Sequence, residues 1–203
     1  MKSFIRVIFV VFSFSTIAQN GDIDLLKKIN GSYTPNGGKV MLFATNSDTP
    51  VSLGLPVGLF VTGLIKKDKP TIWNSGEMMS ACVLNGLFTS GLKFAVDRDR
   101  PFYTYPDDIV KYTKAGSHSF PSGHTSMAFA TATSISLLYP KWYVIAPAYL
   151  WASSVGYSRM YLGVHYPTDV LAGALIGSAT SIGTHYLFKY LKRRYCKTEQ
   201  TRI

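Results

Sequence analysis

Five long apolar blocks constrain this chain more than anything else in it. They cover residues 49–65, 71–92, 122–139, 142–157 and 167–188. A helix needs about 20 apolar residues to cross a bilayer core, so blocks of 16–22 residues suit membrane spans, the shorter ones borrowing flanking residues. Charged residues make up only 16% of the chain, well under the quarter usual in soluble domains. The pattern predicts an all-α integral membrane helical bundle of about five transmembrane helices. Gly173, Ala174 and Gly177 offer a packing face on the last block, where small residues let helices approach closely. Glu77, an acid inside the second block, is expected to face the bundle interior and hydrogen-bond a neighbouring helix.

Residues 1–18 read as a secretory signal: Lys2 and Arg6 precede an apolar run over 7–14, and Thr16, Ile17 and Ala18 supply a small-residue cleavage site. Cleavage after Ala18 leaves five spans, and an uncleaved first transmembrane helix makes six. Residues 19–203 then form a single membrane-embedded domain ending in a basic tail, 189–203. Residues 22–48 are polar and rich in Gly and Asn. Within them Ile23, Leu25, Leu26 and Ile29 share one face of a short amphipathic helix, read either as lying on the membrane surface or as an ordinary surface helix.

The loops set the orientation. Residues 66–69, Lys141 and the tail hold ten basic and two acidic residues, whereas the remaining loops of 19–203 hold nine basic and eight acidic. The first set is therefore cytoplasmic. A cleaved signal followed by five crossings gives the same answer independently. The net charge of +10 invites a nucleic-acid reading, but the basic residues cluster at the ends of apolar blocks, so no nucleic acid is expected. Two cysteines, Cys82 and Cys196, make no disulfide framework. The four histidines show no metal-ligand spacing, and no metal site is expected.

Three polar stretches sit where apolar blocks end, all on the outer side by this count. Lys93 and Arg100-Pro101 follow the second block. Pro121-Ser122-Gly123-His124 opens the third, and Ser158-Arg159 with His165 and Asp169 links the fourth to the fifth. Pro121 suits a helix start, Ser122 a cap, and Gly123 a close backbone approach to a ligand. A helix starting there aims free N–H groups and its positive dipole end at an anion, with His124 on the rim. Lys93, Arg100 and Arg159 are suited to phosphate oxygens. His165 and Asp169, four apart around Pro167, read as a helix-end hydrogen bond when taken alone. Beside three phosphate-binding cations they read as a nucleophile and its orienting acid. Arg98 and Asp99 are read as paired with nearby charges, outside the chemistry.

Together these stretches resemble the three motifs of the type 2 phosphatidic acid phosphatase superfamily: Lys-x6-Arg-Pro, Pro-Ser-Gly-His and Ser-Arg-x5-His-x3-Asp. All defining positions are present across residues 93–169. The resemblance implies that His165 attacks phosphorus to form a phosphohistidine, with Asp169 orienting it. It implies that His124 protonates the leaving oxygen and then activates water. Lys93, Arg100, Ser122, Gly123 and Arg159 would hold the phosphoryl oxygens, with no metal or other cofactor. The substrate implied is a membrane lipid phosphate or diphosphate, such as undecaprenyl diphosphate, phosphatidic acid, phosphatidylglycerophosphate or a lipid A phosphate. Partners would then be membrane lipids, and the site would face the periplasm from the inner membrane. Phe102, Tyr103, Tyr105 and Tyr166 are read as an aromatic interface belt. The alternatives are an acid phosphatase for water-soluble phosphomonoesters and a non-catalytic binder or transporter of anionic lipid.

Overall fold

The computed structural model describes residues 21–116 and 118–200, with side chains to residue 194. The expected signal segment, the Cys196 side chain and the end of the basic tail lie outside the described residues. Everything regular in that range is helical: α1 (21–31), α2 (Pro35–Asn46), α3 (Asp48–Lys66), α4 (Lys69–Val96), α5 (Pro101–Thr104), α6 (Gly123–Leu138), α7 (Trp142–Tyr161) and α8 (Pro167–Gln200).

Large residues face outward and small ones face inward, the reverse of a water-soluble core. Phe43 is 77% exposed and Trp142 79%, while Ala128, Ala130 and Ala132 are completely buried. A bundle with hydrocarbon around it gains nothing by hiding Leu or Phe and associates through close backbone packing instead. The central helix is α6, packed mainly against α8 and α7, then α4. Gly173 and Gly177 make the α6–α8 seam. A Cβ on Gly173 would lie 2.7 Å from the Ser122 carbonyl oxygen, and one on Gly177 would run into that of Ser126. Hydroxyls replace apolar contacts along the seam: Ser181 Oγ donates to Ala130 O at 2.8 Å and Ser134 Oγ to Ser181 Oγ at 3.1 Å. Cys82 is buried, as its apolar block implied.

Two helical runs are long and apolar enough to cross a membrane, Pro35–Lys66 and Lys69–Thr104. The remaining helices fall short in length or apolarity, because their inner faces carry Ala, Ser, Thr and Gly. The first run corrects the sequence reading, which placed a polar segment up to residue 48 and a span over 49–65. Thr34 caps α2 by accepting from Gly37 N at 3.1 Å and Pro35 occupies the first turn, so helix begins fourteen residues earlier. The fourth block also extends. α7 runs to Tyr161, which puts Ser158 and Arg159 in its last turn, not in the connecting loop.

The end of α4, all of α5, the 105–122 loop, the end of α7 and the start of α8 meet at one end of the bundle. Ser122 N donates to Asp169 O at 3.0 Å, Ser119 N to Arg98 O at 2.7 Å and Tyr112 N to Leu162 O at 3.1 Å. The helix α1 covers this end. Ile23 and Leu26 are buried against Ile109 and Tyr166, with Phe102 and Tyr105 packed around them. The buried face of α1 is thus covered by protein, and the helix is a strap across this end of the bundle. The aromatic belt is corrected for the same reason: Tyr166 is buried and Phe102 and Tyr105 join the core, leaving Tyr103 exposed.

Candidate active site

Each cation reaches the site from a different helix end. α4 stops because Asp97 takes a left-handed conformation, which short polar side chains tolerate, and its N–H closes on Lys93 O at 3.1 Å. This leaves Lys93 in the last turn. Arg100 precedes α5, with Pro101 fixing the first helical position. Arg159 lies on the buried face of α7.

The cations are held by neutral acceptors. Lys93 Nζ donates to His118 O at 3.0 Å. Arg100 Nε donates to Gly116 O at 2.8 Å, and its Nη1 to Val164 O at 2.7 Å. Arg159 Nη1 donates to the Thr45 hydroxyl, while its Nε is buried without a partner. Arg100 and Arg159 are 4% and 3% exposed. Buried guanidinium groups without direct carboxylate partners are costly, and an arriving anion recovers that cost. Among the described residues no three His, Cys, Asp or Glu side chains gather in a way that could hold a metal ion.

His165 completes the pocket. Its Nε2 lies 3.2 Å from Arg100 Nη1 and its Nδ1 3.4 Å from Asp169 Oδ2. A guanidinium nitrogen only donates, so Nε2 presents its lone pair and the ring proton sits on Nδ1, towards the acid. Burial, aided by Arg100 and Arg159, pulls the imidazole from its usual value down to about 3, against the opposing pull of Asp169. The ring is therefore neutral, with a lone pair aimed into a field of positive charge. Asp169 is fixed by more than His165. Its Oδ2 accepts from Ser119 Oγ at 2.5 Å and from Tyr166 N at 3.0 Å, and its Oδ1 from Arg98 Nη1 at 2.7 Å.

His124 stands half-buried in the first turn of α6, within Coulombic reach of Arg159, Arg100 and Lys93. Gly123 lies beside Lys93, whose Cε would be 3.8 Å from an added Cβ. Ser122 holds the N-cap position of α6, but its hydroxyl does not cap the helix. Its hydroxyl pairs with Thr125 Oγ1 at 2.8 Å, and Pro121 precedes the helix by two residues. All eight residues singled out in the sequence thus gather at one end. Two partners were missed. Arg98 was assigned to unspecified nearby charges and Ser119 was not considered. Nothing in the spacing distinguishes either, because their link to Asp169 crosses 71 and 50 residues of chain.

Residues 76–193 match the PAP2 superfamily, over half of the chain and across every motif position. The chain belongs to this superfamily. Among PAP2 relatives, the lipid A 1-phosphatase of Rhizobium etli is 33% identical over 122 residues, covering 57% of this chain and 51% of that protein. The undecaprenyl-diphosphatase of Sulfolobus acidocaldarius is 38% identical over 86 residues, 42% of this chain and 41% of that one. The chain spans about half the length or less of these curated relatives. The crystal structure of LpxE from Aquifex aeolicus superposes with a TM-score of 0.68 at 28% identity, over 81% of this chain and 94% of that one. PAP2 membership accounts for the helical bundle and for the single cluster at its end.

Proposed function

We propose that this protein is a membrane phosphatase that hydrolyses a lipid phosphate or diphosphate through a phosphohistidine on His165. The observation that carries this reading is the neutral Nε2 of His165 lying 3.2 Å from Arg100, backed by Asp169 and within Coulombic reach of Arg159. Phosphoryl transfer needs positioning and stabilisation of charge on the equatorial oxygens, and Lys93, Arg100 and Arg159 supply both. In the first step His165 Nε2 bonds to phosphorus as the P–O bond to the lipid breaks, and His124 gives the leaving oxygen its proton. In the second, water deprotonated by His124 attacks phosphorus, the P–N bond breaks, and inorganic phosphate leaves. Asp169 holds the Nδ1 proton throughout and stabilises the charge on the ring.

A lipid substrate is supported by the apolar exterior around the site and by the names of the relatives, which act on lipid A and on undecaprenyl diphosphate. In this reading the chain crosses the inner membrane five times, beginning with residues 35–66, and the site faces the periplasm. The site carries its own cations and works without a metal cofactor. Purified protein should release phosphate from lipid phosphates in mixed micelles, in excess chelator, and rapid quenching should trap acid-labile label on the wild type but not on His165→Ala. Label retained by His165→Ala would overturn the assignment. A cysteine placed at the exposed Tyr103 should react with an impermeant reagent in intact cells, and one at Lys67 should not. The opposite pattern would invert the orientation.

A further inference from the structure

The strap α1 does more than cover the catalytic end, because its second residue is wired to the catalytic acid. Asp22 is 5% exposed, in a helix whose neighbours Asp24 and Leu25 face outward. Its Oδ2 accepts from Arg98 Nη2 at 2.9 Å. Its Oδ1 accepts from the backbone N–H of Thr168 at 2.8 Å, satisfying a free donor in the first turn of α8, and the Thr168 hydroxyl donates to the same carboxylate. Arg98 in turn bonds Thr168 Oγ1 at 2.8 Å and Asp169 Oδ1 at 2.7 Å, and its guanidinium lies 3.8 Å over the Tyr166 ring. A continuous chain of charge-assisted bonds therefore runs from Asp22 through Arg98 and Asp169 to His165.

We propose that Asp22 is a positioning residue for the phosphoryl-transfer site, acting through Arg98 to set how fully Asp169 serves His165. The proposal rests on the function proposed above. The physical reason is a division of one positive charge. Arg98 sits between two carboxylates, and the share it gives Asp22 is withheld from Asp169. Without the Asp22 charge, Arg98 turns wholly to Asp169, which then supports the positive charge on the His165 ring less. Without Arg98, Asp169 loses its Oδ1 anchor and its orientation. In both cases the cost falls on the step in which charge develops on the ring, not on phosphate binding by Lys93, Arg100 and Arg159.

The test compares wild type, Asp22→Asn, Arg98→Ala, their double variant and His165→Ala, purified in detergent with nitrophenyl phosphate as substrate. Asn keeps the shape of Asp and an acceptor for Thr168 N, so the α8 cap survives while the charge goes. Asp22→Asn should lower kcat roughly ten-fold, the low end of the range for outer partners that orient metal-ligating side chains, and leave KM within about two-fold. Adding it to Arg98→Ala should cost nothing further, since the two act in series. Wild-type kcat in Asp22→Asn overturns the proposal. So do additive losses in the double variant, which would reduce Asp22 to a cap of α8. Vanadate binding, read as a thermal shift, gives a measure independent of turnover and should weaken in Asp22→Asn by the same factor as kcat/KM. If wild type releases no phosphate, the phosphatase reading fails, and if His165→Ala retains activity, the phosphohistidine route fails. The vanadate comparison then still decides whether Asp22 tunes the pocket.

Discussion

The bundle carries a histidine–carboxylate pair at each end, and only one has the surroundings of a reaction site. At the end away from the site His185 Nδ1 and Glu77 Oε1 are 2.7 Å apart, a better hydrogen bond than the 3.4 Å between His165 and Asp169. This pair opens on a cavity of about 220 Å³ lined also by Lys189, Lys192 and Trp73. Lys189 and Lys192 are exposed on α8. At the site end Arg100 and Arg159 are buried and Lys93 half-buried, all three fixed by backbone carbonyls or a hydroxyl, and His165 is fully enclosed. A short bond between an imidazole and an acid ties two helices together. Catalytic use requires that the opposite ring nitrogen faces a fixed, uncompensated charge.

The largest expected contrast is between the two histidines. His165→Ala should lose turnover and phosphoenzyme on every substrate, whereas His185→Ala should keep wild-type turnover. Comparable losses in both would dissolve the distinction. Next comes His124. Removing a general acid costs about 10²–10⁴ in rate, and most where the leaving oxygen is basic. His124→Ala should therefore be crippled on a lipid monophosphate and milder on nitrophenyl phosphate, with phosphoenzyme accumulating because water has lost its base. Equal losses on the two substrates would remove His124 from the leaving-group step.

A third contrast concerns ligand-induced stability. The cations at the site lack carboxylate partners and should bind an anion, so vanadate at about 100 times its Kd should stabilise the protein by about 2.7 kcal/mol, as mass action gives. In a chain of this size that corresponds to roughly 5–10 °C in Tm. Arg100→Ala should lose this shift and Lys192→Ala should keep it. The smallest effect is on pH. His165 titrates near 3, below its usual value, so its reactive neutral form persists as pH falls from 8 to 5. With the substrate's own ionisation divided out, kcat/KM should show no acid limb near 6.5, and such a limb would mean the ring is more open to water than its burial implies.

Much of this was legible in the chain because it is local. Apolar block length announced helices, Pro167 marked the start of α8, and three motifs with two fixed internal spacings named eight residues that the fold gathers. Spacing along a helix also fixes that residues four apart, such as His165 and Asp169, share a face. The sequence pattern misjudged helix ends at Pro35 and Tyr161, where a cap or a packed small-residue face outweighed average polarity.

Partnership across distant elements was decided only in three dimensions. Arg98 reads as one more loop cation, yet it lies against Asp169 and Asp22, 71 and 76 residues away. Asp22 reads as one acid on an amphipathic turn, yet it ends up buried against α8. Glu77 and His185 form a shorter contact than His165 and Asp169, and the two pairs differ in what surrounds them. Hydrophobic length and backbone preference act over a few neighbouring residues, so they are written along the chain. The charge around a buried group is summed over every element that packs against it, and that sum exists only once the helices have met.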